Sequence, residues 1–126
     1  MKRKQSRPTW VLWLVVFAAG LMGAQVLYAH AILKETTPAA NSTVTGPDVS
    51  VKLKFNVRID ASLSKLQLLL PDNHTKNLTI EAQPSPDVLT AKAAGLVPGA
   101  YRIRWQVLAP DGHITRGEIP FTVKGS

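Results

Sequence analysis

The chain has 126 residues, enough for one domain of common size and too few for two. With 18% charged and 45% hydrophobic residues it is neither disordered nor collagen-like. The absence of cysteine excludes a disulfide framework, a thiolate nucleophile, and cysteine-based zinc or iron–sulfur sites. The net charge of +7 would suit an anionic partner such as nucleic acid, but its distribution argues against one. Lys2, Arg3, Lys4 and Arg7 precede residue 30 without any acid, and the remaining 11 basic residues stand against 8 acidic ones, an ordinary surface balance.

The basic head is followed by Trp10–Ala29, an apolar run with no charge and one amide, Gln25. A positive start, an apolar middle and a small residue at the end read as a secretory signal peptide over residues 1–29. Cleavage after Ala29 leaves His30 first. A cut after Ala31 fits the small-x-small rule better, and an uncleaved run is long enough to serve as a membrane anchor. In each case the domain at 30–126 is expected across a membrane, with membrane contact only if the segment is retained.

The exported part alternates. A first strand is expected near Ile32–Glu35. Over 48–57, Val49, Val51, Leu53, Phe55 and Val57 share one face, with Ser50, Lys52, Lys54 and Asn56 on the other. Strands at 63–70 and 74–82 form a hairpin across Pro71-Asp72-Asn73. A shorter strand follows at 88–93, then a turn at Val97-Pro98-Gly99. Tyr101, Ile103, Trp105 and Val107 define the next strand, and Ile119, Phe121 and Val123 a last one near Glu118–Lys124. Pro120 in that strand predicts an edge position or a missing ladder bond. Seven short antiparallel strands and no convincing helical period predict an all-β, Greek-key, immunoglobulin-like sandwich.

Reactive groups are few after residue 30: no Cys, no Met, and the three histidines His30, His74 and His113. Two placements stand out. As first residue, His30 would offer its α-amine and a ring nitrogen together, closing a chelate ring on a metal. In Asp111-Gly112-His113, residues at i and i+2 of an extended chain project to one side, and Gly112 lets the backbone bend. An amine, two imidazoles and a carboxylate form a nitrogen/oxygen set suited to tetragonal Cu(II). The alternative is that Asp-Gly is a hairpin turn and His113 a surface residue.

The ordered set of motifs resembles the CopC family of periplasmic copper-binding proteins. His30-Ala-Ile-Leu-Lys-Glu-Thr-Thr-Pro-Ala-Ala-Asn-Ser is similar to that family's mature start, and Val51-Lys-Leu-Lys-Phe55 to its second strand. Pro98-Gly99, Tyr101, Trp105, Asp111-Gly112-His113, Gly117 and Phe121 follow its C-terminal signature in order. The resemblance spans residues 30–124. It implies an immunoglobulin-like or cupredoxin-like sandwich binding Cu(II) through His30, by amine and ring, with Asp111 and His113. It also implies copper sequestration, resistance or delivery, with a CopD-type inner-membrane transporter as partner. Some members carry a Met/His Cu(I) site in a mid-chain loop; without methionine that site does not carry over, and His74 reads as a loop histidine. The family often has Phe-Ser-Glu after its second strand; Phe55-Asn56-Val57 stands here, without the acid.

Two other functions compete. Lytic polysaccharide monooxygenases also hold copper by an N-terminal histidine, but they need open positions for oxygen and a flat aromatic surface. Here Phe55, Tyr101, Trp105 and Phe121 fall on inward strand faces. A metal-free adhesion or assembly module would bind no copper.

Overall fold

A computed structural model describes residues 30–126; residues 1–29, expected to form a signal peptide, lie outside the described residues. Eight strands follow in chain order: β1 (Leu33–Thr37), β2 (Ser42–Thr45), β3 (Val49–Phe55), β4 (Lys65–Leu69), β5 (Thr75–Leu78), β6 (Val88–Ala93), β7 (Gly99–Leu108) and β8 (Ile114–Lys124). They form a three-stranded sheet, β1-β3-β6, and a five-stranded sheet, β2-β8-β7-β4-β5. All the pairings are antiparallel except β2 with β8, which is parallel.

Binary alternation creates the layers. In β3, Val49, Val51, Leu53 and Phe55 are buried; in β7, so are Tyr101, Ile103, Trp105 and Val107; in β8, Ile119, Phe121 and Val123. These faces meet those of β4 and β6 in one core, the sheet-on-sheet packing of a sandwich. Phe55 meets Trp105 edge-on at 5.4 Å between ring centroids, and Tyr101 stacks on Phe121 at 5.7 Å. The Tyr101 hydroxyl donates to the Val97 carbonyl at 2.6 Å, so the polar end of this buried ring is satisfied. Gly117 lies opposite Trp105, where a Cβ would sit 2.5 Å from the indole, so only glycine leaves room for the ring.

The sandwich agrees with the sequence reading; the count of strands needs correction from seven to eight. The additional strand, β2, is four residues with three hydroxyl side chains and a single apolar one, Val44, too few to show an apolar alternation in the sequence. Its partners are Phe121–Lys124 of β8, a pairing available only after the sheets assemble. The expected strand at 63–70 begins later, because Ala61–Leu63 forms a 3₁₀ turn capped by the Asp60 carboxylate, which accepts from Ser62 N–H at 3.0 Å. Val57, expected inward on β3, lies beyond the strand and is half-buried. β8 also starts earlier than expected, at Ile114, pairing with β7 as far as Leu108. Pro120 sits where β2 begins: its carbonyl accepts from Asn41 N–H at 2.6 Å, so its missing N–H faces β2 and not the β7 ladder.

Arg102 and Arg104 on the outer face of β7 both reach Glu118 of β8, at 3.1 and 3.2 Å. Among the described residues no helix is long and apolar enough to cross a membrane.

Candidate metal centre

The turn between β7 and β8 builds half of the site. Gly112 N–H donates to the Ala109 carbonyl at 3.0 Å, and Ala109 N–H donates to the His113 carbonyl at 3.1 Å. Pro110 holds the second turn position, and Gly112 the left-handed one, with φ of +81°. This is a type I turn closed by a glycine bulge, the chemistry that Ala-Pro-Asp-Gly-His encodes. Asp111 and His113 therefore converge through a turn, not along an extended chain. The hairpin reading and the converging-pair reading describe the same five residues.

Within the turn, one Asp111 oxygen accepts from the His113 backbone N–H at 2.9 Å and the other lies 2.7 Å from His113 Nδ1. The ring and backbone N–H groups of His113 hold the Asp111 carboxyl below its ordinary value of 3.8, so it is ionised at neutral pH. An ionised carboxylate only accepts, so Nδ1 carries the proton and the Nε2 lone pair is free. The Asp111 side chain is 16% exposed, against 66% for the His113 side chain.

The other half arrives from the start of the domain. Ala31 is buried in the core. Ile32 is held by Asn56 on both sides: its N–H donates to Asn56 Oδ1 at 2.7 Å, and its carbonyl accepts from Asn56 N–H at 3.0 Å. β1 then pairs with β3 from Leu33 opposite Phe55. This course delivers His30 beside the β7–β8 turn. His30 Nδ1 lies 3.6 Å from Asp111 Oδ2, and the His30 and His113 rings are 5.0 Å apart with their planes tilted by 36°. One ligand atom from each of His30, Asp111 and His113 lies within 4.8 Å of the others, on an exposed surface. The donor set fits a nitrogen/oxygen-seeking divalent ion, and it contains no soft sulfur.

His74 is not part of this cluster. It sits in the β4–β5 turn, with Nδ1 2.8 Å from Asp72 Oδ2. By residue order Asn56 is only an outward-facing residue at the end of its strand, and the family's missing acid falls on its neighbour Val57. The sequence holds no motif for the role of Asn56, because Ile32 is 24 residues away.

Residues 33–124 match the CopC domain family. The chain is 33% identical over 101 residues to Protein YobA of Escherichia coli strain K12, covering 78% of this chain and 82% of that protein. It is 29% identical over 118 residues to Copper resistance protein C of Xanthomonas campestris pv. juglandis, covering 87% and 92%. The crystal structure of CopC from Methylosinus trichosporium OB3b is similar with a TM-score of 0.68 at 30% identity, covering 76% of this chain and 95% of that one.

Proposed function

The chain belongs to the CopC family, and from that membership and the geometry at His30 we propose that it is a Cu(II)-binding protein of the bacterial periplasm. Residues 1–29 act as the signal peptide, and cleavage after Ala29 makes His30 the first residue. One Cu(II) binds per chain, held by the amine and ring of His30, the Asp111 carboxylate and His113 Nε2. The observation that carries the reading is the convergence of His30, Asp111 and His113, ligand atoms within 4.8 Å, from opposite ends of the domain.

The chemistry follows from the donors. A free α-amine has a pKa of about 7.7–8.0, so copper displaces a single proton there near neutrality. The Nδ1–H to Asp111 contact orients the His113 ring. Four nitrogen and oxygen donors fill a square plane and leave no equatorial position for a substrate, which favours sequestration or delivery over catalysis. Delivery to a CopD-type inner-membrane transporter is the partner assignment we propose. Copper resistance protein C of Xanthomonas, a relative by sequence, agrees with a role in handling this metal.

Intact mass of the exported protein, with and without copper, tests the reading: it should begin at His30 and gain one copper. Cu(II) should be preferred over Ni(II) and Zn(II), in line with the divalent affinity order. Equal or tighter anaerobic binding of Cu(I) would overturn the ligand set.

A further inference from the structure

Resting on the copper reading above, we propose that Asn56 is the positioning residue that fixes His30 over the Asp111–His113 turn. A first residue is tethered on one side only, and confining its backbone costs conformational entropy. Unless something fixes His30, only a fraction of molecules present its donors to the turn, and apparent affinity falls by that fraction. The β1–β3 ladder cannot do this by itself, because it begins at Leu33. Packing contributes little at Ile32, which is 55% exposed. Asn56 supplies what the ladder and the packing lack. Its backbone N–H takes the Ile32 carbonyl at 3.0 Å and its side-chain Oδ1 takes the Ile32 N–H at 2.7 Å, closing a ring two residues from His30. With Ala31 buried next to it, the chain leaves this clamp in one direction. The carboxamide's hydrogen bond goes to the Ile32 N–H, so it acts through the backbone of Ile32.

The test is a double-substitution cycle on the exported protein, with Cu(II) affinity read by competition titration and apo-protein melting read in parallel. Asn56→Ala should weaken Cu(II) binding about 10-fold, the lower end for a lost supporting residue. Asn56→Asp, which keeps the Oδ1 acceptor, should bind as the unsubstituted protein does or more tightly. In a His30→Ala background, Asn56→Ala should cost clearly less than in the unsubstituted protein, because only the α-amine of residue 30 remains for it to position. Equal affinity of Asn56→Ala and the unsubstituted protein would overturn the proposal. So would the same loss with and without His30, whatever happens to melting. Absence of Cu(II) binding by the unsubstituted protein would overturn the copper reading itself, and this proposal with it.

Discussion

The molecule contains the same turn twice. Leu70-Pro71-Asp72-Asn73-His74 joins β4 to β5, and Ala109-Pro110-Asp111-Gly112-His113 joins β7 to β8. In each, the fourth residue has a left-handed φ, +68° at Asn73 and +81° at Gly112. In each, its N–H donates to the carbonyl of the first residue, at 2.9 and 3.0 Å, and the histidine carbonyl accepts from the first residue's N–H, at 2.8 and 3.1 Å. In each, the aspartate spans the backbone N–H and the Nδ1 of the histidine two residues on. The strands β4 and β7 are antiparallel neighbours, so the turns lie at opposite ends of the sheet, separated by the ten residues of β7, roughly 30 Å. What differs is the company each keeps. The β7–β8 turn meets His30; in the β4–β5 turn the Asp72 and His74 side chains are 64% and 82% exposed and, among the described residues, no third ligand joins them. An Asp-x-His turn is thus a local device that orients one imidazole. A metal site needs a further donor, which local sequence cannot supply.

The largest effect should come from removing that donor. A form extended by a single glycine before His30 converts the amine to an amide and displaces the ring. It should lose more than about 100-fold in Cu(II) affinity, beyond the range for a supporting residue alone. Its melting should be unchanged, because the sandwich is built from later residues. Equal affinities of the His30-first and extended forms would remove the amine from the ligand set.

Next come the turns themselves. Asp111→Ala and His113→Ala should each weaken Cu(II) binding by at least the roughly 10- to 100-fold lost with a supporting residue, whereas His74→Ala should leave it unchanged. The reverse ranking in a competition titration would move the site to the β4–β5 turn. Affinity should also fall on acidification, as amine, imidazole and carboxylate take up protons.

A smaller effect tests the equivalence of the two backbones. No atom lies within 4 Å of a Cβ built on Gly112, so a substitution there meets only backbone strain. Gly112→Ala should cost about 1 kcal/mol in thermal or denaturant unfolding. Gly112→Asn should cost less, because Asn73 already occupies the equivalent position. Equal costs would mean that the turns are not interchangeable.

The smallest effect is electrostatic. Asp72 beside His74 raises the histidine above 6.5, through the hydrogen bond first and the charge second, and His74 lowers Asp72 below 3.8. The raised histidine stabilises the fold fully below pH 6.5, and that share fades as pH rises through its folded value. The lowered aspartate contributes above 3.8, and that share fades as pH falls through its folded value. The difference in stability between the unsubstituted protein and Asp72→Asn should therefore be largest between these limits, and small, since both groups are exposed. Proton NMR should find the His74 ring titrating above 6.5 and returning toward it in Asp72→Asn.

Much of this was legible in residue order. Period-two alternation in β3 and β7 specified which side chains face the core, because a strand projects neighbours to opposite sides. Pro110 and Gly112 encoded their turn in five consecutive residues, since each removes backbone freedom or strain locally. The three cluster members were likewise picked out from the residues and from the family resemblance. Other features were not legible. β2 has no pattern of its own and exists because β8 offers it an edge. Asn56 reads as an outward-facing strand residue, yet it grips a backbone 24 residues away. His30 and Asp111 are 81 positions apart, and they come within 3.6 Å because β1, paired beside β3 in one sheet, starts at the end of the sandwich where β7 of the other sheet turns into β8. Local sequence acts on dihedrals and on the period of burial, both settled within a few residues. Which donors meet is settled by how two sheets pack, and that depends on the whole chain at once.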